Sequence, residues 1–184
     1  MTPFLVTLAI LAVSGLWLVT AYNRLVRLKN MAAEAWSGVD VQLKRRANLI
    51  PNLVETVKGY AGHEKAVFDR VTELRARSLS AGTVKEQEAA EKDLAQAIRG
   101  LMAVAEAYPD LKASQNFLDL SRSLAEAEEQ IQLARRYYNG TARNMNIAVA
   151  SVPTNLVASL FGFLGVDYFE IEDNADREVP KVSF

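Results

Sequence analysis

His63 and Glu64 stand side by side, and a histidine followed by a glutamate is how a zinc-protease helix begins. That arrangement, H-E-x-x-H, needs a second histidine one helical turn on, so that both rings face one metal. Position 67 is Val67, and the 184-residue chain holds one His and no Cys. A His-based zinc site and every thiolate site therefore lack ligands, and His63 reads as a surface residue. Glu126, Glu128 and Glu129 form an acidic cluster. A di-metal helical bundle combines such carboxylates with inward-facing Glu-x-x-His pairs, which this chain lacks, so the cluster reads as a solvated helix face. Ser, Thr and Lys side chains occur without a base partner, and no G-x-G-x-x-G or P-loop is present. Asn139-Gly140-Thr141 has the form of a glycosylation acceptor, a meaning it carries only in secreted eukaryotic chains. The expectation is no catalytic residue, no cofactor and no metal.

What remains are polar residues around Pro51. Asp40, Lys44, Asn48 and Asn52 are each four apart, which places them on one helix face. Arg46 instead takes a slot on the apolar seam, between Val39 and Leu53. A charge there is costly unless paired. Glu106 and Asp110, flanking Tyr108-Pro109, are the expected partners; the alternative is an arginine whose stem lies along the seam and whose head reaches water. Asn48 and Asn52 have amides suited to the carbonyls that a proline leaves without a donor. These eight residues are the candidate structural or interaction sites.

The elements that must position them are helical. Trp36, Leu43, Ile50, Val57, Glu64 and Val71 fall seven apart, with Val39, Ala47, Leu53, Val54, Tyr60, Ala61, Phe68 and Leu74 in the companion slots. This is the period of a coiled-coil seam. Because the phase continues past Pro51, the spacing predicts one helix from about residue 24 to 79, bent at the proline; a true break there is the alternative. Unbroken, it would reach about 80 Å at 1.5 Å per residue. "SLSAGTVKE" reads as a loop, and Thr83 with Glu86 has capping-box spacing. A second helix carries Leu94, Ile98, Leu101, Ala105 and Tyr108 and stops at Pro109. A third carries Phe117, Leu124, Ile131, Tyr138, Met145 and Val152, with Leu120, Ala127, Ala134, Ala142 and Val149 filling the seam. Pro153 ends it, and Thr154 is the expected cap of a short fourth helix. No strand alternation or internal repeat appears.

Met1 to Tyr22 contains no charged side chain. About 20 apolar residues in helix span a hydrocarbon layer of about 30 Å. A cleaved signal peptide would carry basic residues ahead of a shorter apolar run, and a buried core helix would show a polar face; this segment does neither and reads as a single transmembrane anchor. No G-x-x-x-G pairing motif lies within it. Arg24, Arg27 and Lys29 follow the span, which predicts an outside N-terminus and a cytoplasmic remainder, with a periplasmic remainder as the alternative. Lys+Arg number 21 against 22 Asp+Glu, for a net charge of −1. This gives no reason to expect a nucleic-acid partner.

The combinations "YNRLVRLKN" (22–30), "AWSGVDVQLKRRANLIPNLVETVKGYAGHE" (35–64), "AVAEAYPDLKASQNF" (103–117), "ARRYYNGTARNMN" (134–146), "PTNLVASLFGF" (153–163) and the closing "VPKVSF" resemble the LemA family of bacterial membrane proteins. Gly38 and Ala47-Asn48 depart from the family's more usual Asn and His-Asp. The resemblance implies an inner-membrane anchor followed by an antiparallel helical bundle, and it carries over no activity or ligand. The resulting expectation is an all-α chain: a single N-terminal transmembrane helix (1–22), an antiparallel bundle of three long helices plus a short fourth (23–165), and an acidic tail (166–184). It would bind the bilayer through residues 3–22, form a homo-oligomer and act as a non-enzymatic scaffold. The alternative is an adaptor for another membrane machine, such as a protease or a secretion or envelope-stress component.

Overall fold

The computed structural model describes residues 2–62 and 64–170. His63 and residues 171–184, which include most of the expected acidic tail, lie outside the described residues. Helix α1 runs from Thr2–Lys58 without interruption and keeps Pro51 inside it. Its first two dozen residues meet the length and composition needed to cross a membrane. Helices α2 (Lys65–Ser80), α3 (Val84–Glu106), α4 (Pro109–Lys112), α5 (Gln115–Ala150) and α6 (Thr154–Phe161) follow, and the described residues contain no strand.

The helix expected to continue to residue 79 therefore stops at Lys58. Gly59 and Gly62 bracket the break, and two glycines in four residues raise the cost of helix by about 1 kcal/mol each relative to Ala. The last turn closes through Tyr60 N–H and Ala61 N–H donating to the Val57 carbonyl. α2 then returns along α1. The Lys58 ammonium lies 5.8 Å from the Phe68 ring centre, and Arg75 reaches back to the Ala47 carbonyl. The seam phase survives because both sides of the turn feed one core.

Thr83 begins α3 with a complete capping box. Its hydroxyl accepts from Glu86 N–H, and the Glu86 carboxylate accepts from Thr83 N–H and Gly82 N–H. These backbone donors favour the ionised carboxylate and hold its pKa below the usual value. Pro109 occupies the first turn of α4, where its missing N–H costs nothing. α5 ends at Ala150, so Val152, expected on the seam, is exposed. Thr154 is the first residue of α6 rather than its cap; Pro153 holds that position without a side-chain bond. Gly162 closes α6 at φ 69°, a left-handed conformation that suits glycine, and Phe163 N–H returns to the Ala158 carbonyl.

The chain forms two compact units, and α1 and α5 supply residues to both. One is built on residues 40–133. Its core joins Ile50, Leu53, Val54 and Val57 of α1 to Phe68, Val71 and Leu74 of α2, Leu94, Ile98 and Leu101 of α3, and Phe117 and Leu124 of α5. The other contains residues 1–39 and 134–168. There Ala21 and Leu25 of α1 pack on Ala148 of α5 and Val157 and Ala158 of α6.

Candidate functional site

Arg46 is 1% exposed, as its seam position demands. Its partners are Glu91 of α3 and Glu128 of α5: one terminal nitrogen pairs with each carboxylate. The expected partners are not used. Glu106 ends α3 and Asp110 opens α4, and both are exposed. The reason lies in helix register. Glu91, Leu94, Ile98, Leu101 and Ala105 fall at spacings of three, four, three and four and are all buried, so Glu91 is carried into the core by the same stripe as the leucines. Glu106 sits one residue, about 100° of helix, beyond that stripe.

Glu91 is fully buried and its two oxygens divide the work. Oε2 faces the guanidinium. Oε1 accepts from Ser78 Oγ of α2 and, at 2.8 Å, from Gln87 Nε2 of α3. Ser78 and Gln87 are themselves buried. Four helices thus meet at one guanidinium–carboxylate node, and Glu128 closes it from a partly exposed position. The Glu91 carboxylate accepts two hydrogen bonds at Oε1 and faces the guanidinium charge at Oε2, so the node ties α1, α2, α3 and α5 together.

A second polar contact explains Pro51. Proline has no N–H, so the carbonyl four residues back, Ala47, loses its helical donor. Arg75 Nε of α2 supplies the replacement at 2.6 Å. This is the role expected of Asn48 or Asn52, whose short amides stay on the exposed face. Asp40 and Lys44 form a 2.6 Å ion pair one turn apart, largely exposed and worth about 0–1 kcal/mol. Asn52 lines an open groove of about 490 Å³ with Glu55 and Thr56 of α1 and Asn116, Asp119, Leu120 and Ser123 of α5. The structure thus leaves the polar row on the surface and gathers Arg46 with residues outside it. Glu91 was legible from its stripe. Gln87, four before Glu91, and Ser78, four after Leu74, were legible in the same way, whereas Arg75 carries no pattern that separates it from surface residues, and Glu128 reads as one of an acidic cluster.

In the other unit, neutral side chains supply several contacts. Tyr138 of α5 packs at a tilt on Trp36 of α1, ring centres 5.2 Å apart, and donates its hydroxyl to the Asp167 carbonyl at 2.7 Å. Burial, with the Asp167 charge second, pushes the Tyr138 pKa up. The Asn146 amide makes a paired contact with Val166, accepting from its N–H at 2.8 Å and donating to its carbonyl at 3.0 Å. Gly165 lies so close that a Cβ would sit 2.8 Å from Asn146 Oδ1. The first residues of the expected acidic tail, Val166 and Asp167, are therefore strapped to α5.

A sequence model of the LemA family matches residues 35–184. The chain is 25% identical to magnetosome protein MamQ of Magnetospirillum gryphiswaldense over 188 aligned positions, which cover 88% of this chain and 69% of that protein. It is 26% identical to magnetosome protein MamQ 2 of Paramagnetospirillum magneticum over the same shares. Against protein LemA of Metamycoplasma hominis the identity is 28% over 152 positions, 82% of this chain and 69% of that one.

Proposed function

This chain belongs to the LemA family, and on that premise we propose that it is a membrane-anchored, non-enzymatic scaffold that assembles with copies of itself. One observation carries the reading: α1 is a single helix from Thr2–Lys58. Its N-terminal part is a membrane span, and its C-terminal part supplies Ile50, Leu53, Val54 and Val57 to a folded core. The helix that spans also packs Ala21 and Leu25 on Ala148 of α5 and Val157 and Ala158 of α6, so no flexible linker separates the span from the unit it belongs to. An enzyme gains little from that coupling, whereas a surface that must meet other copies in register gains much. The Arg46 node, which ties four helices together, and relatives whose names are not enzyme names support the same reading. The domain folds as an antiparallel helical bundle on the cytoplasmic side of the bacterial inner membrane, set there by Arg24, Arg27 and Lys29.

The discriminating experiment is imaging and mass measurement of the full chain after gentle detergent extraction. Large particles containing this chain alone are expected. A small particle carrying one stoichiometric partner would replace the scaffold with an adaptor. Topology is read on the same protein with Ser80→Cys, clean because the chain has no other Cys. Labelling in intact cells by an impermeant thiol reagent would place the domain outside.

A further inference from the structure

α6 is apolar on two sides. Val157 and Ala158 face inward, on Ala21 and Leu25 of α1 and Ala148 of α5. On the outer side, Leu156 is 67% and Leu160 71% exposed, and the flanking Val152 and Leu164 are 81% and 78% exposed. Leu156 and Leu160 are four apart within α6 and share a face, Val152 and Leu164 lie on the flanking turns, and no charged side chain occurs between Arg143 and Asp167. Exposed aliphatic groups gathered in one short segment mark a binding surface or a membrane contact rather than a face made for water.

Its position in the unit decides between those. Phe161 and Phe163 pack edge-on against Tyr22, with ring centres 4.8 Å and 5.5 Å away, and Tyr22 lies two residues before Arg24, the first charged side chain. Along α1 residues 3–20 are exposed, Ala21 is 8% exposed and Leu25 is buried. The chain around α1 thus closes over one of its faces at the end of the span. Arg24, Arg27 and Lys29 are exposed on the next turns, within about 10 Å of Tyr22, at the level where phosphate headgroups attract basic side chains.

We propose that α6 and its flanking turns form a second membrane contact, seating Val152, Leu156, Leu160 and Leu164 in the interfacial layer of the bilayer that α1 crosses. α6 and the turn after it touch the end of the span through Phe161 and Phe163, so the occupant is lipid rather than a second copy. The contact gives the unit two points of attachment, a spanning helix and a shallow wedge, which fixes its tilt as a single span does not. The inference rests on the reading of α1 as a span.

The test uses the full chain in phosphatidylcholine–phosphatidylglycerol vesicles. An environment-sensitive fluorophore is placed on single cysteines at Leu156, Leu160, Val13 and Gly38, and nitroxide-labelled lipids serve as quenchers. Val13 reports the span. Gly38, where an added side chain meets nothing within 4 Å, lies about 24 Å beyond Tyr22 along α1 and reports water. Loss of emission is expected at Leu156, Leu160 and Val13 but not at Gly38. Quenching at Val13 with none at Leu156 and Leu160 overturns the second contact and leaves the span intact. Absence of quenching at Val13 overturns the span, and this inference with it. A blue-shifted but unquenched signal at Leu156 and Leu160, accompanied by energy transfer between labelled copies, would assign the face to self-association and also overturn the proposal.

Discussion

In the unit built on residues 40–133, α1 is tied to its neighbours through a buried guanidinium, two carboxylates, a hydroxyl and an amide. In the unit of residues 1–39 and 134–168, small apolar residues join α1 to α5 and α6, tilted rings join α1 to α5, and Asn146 ties α5 to the backbone of Val166. The difference lies in how many arrangements each chemistry tolerates. Alanines and leucines pack in several registers at similar energy. A buried charge is more demanding, because removing its partner strands an ion. The Arg46 node therefore ties particular helices together, while the apolar contact of α1 with α5 and α6 rests on close packing of small side chains.

The comparison breaks most sharply at Arg46. Arg46→Met leaves Glu91 buried without its cation and should lower stability by about 3–5 kcal/mol, read from denaturant unfolding of the purified protein. Combining it with Glu91→Leu should return much of the loss, because both members of the costly pair are then apolar. Glu106→Gln and Asp110→Asn should add independently to Arg46→Met. Strict additivity of the Arg46 and Glu91 changes would show that the node does not couple the helices.

Asn146 tests the unit of residues 1–39 and 134–168 and should give a smaller effect. Asn146→Ala removes both bonds to Val166 and should cost about 1–3 kcal/mol. The local signature is faster amide hydrogen exchange at Val166, with exchange in α3 unchanged. Equal acceleration in α3 would show that the strap serves the whole chain rather than its own unit.

The smallest expected effect concerns Pro51. Arg75→Met leaves the Ala47 carbonyl without a donor and should cost about 1 kcal/mol. In a Pro51→Ala background the helix recovers its own N–H at position 51, so the same change should cost clearly less. An equal cost in both backgrounds would separate Arg75 from the proline.

Much of this organisation is carried by spacing. The seven-residue repeat of Leu43, Ile50 and Val57, and that of Phe117, Leu124 and Ile131, picks out side chains that are buried, because a helix turns its apolar stripe toward whatever covers it. The capping box at Thr83 was legible because its two bonds are made within four residues. The turn at Gly59–Gly62 was not, although both glycines are in plain view. Val57 and Val71 are two heptads apart whether the chain runs straight or doubles back, so phase retention cannot exclude a turn.

The sequence by itself determined a helical chain, an uncharged N-terminal stretch long enough for a bilayer, and an arginine forced onto a buried face. These follow from local periodicity and from the cost of removing charge from water, which act before any distant residue is met. Only the tertiary structure decided that Glu91 and Glu128 answer Arg46, that Arg75 answers the carbonyl Pro51 frees, and that Asn146 holds Val166. Each of those pairs lies 20 or more residues apart, the Arg46–Glu128 pair 82, and one suitable carboxylate looks like another until the helices are packed and desolvation leaves only the one within reach.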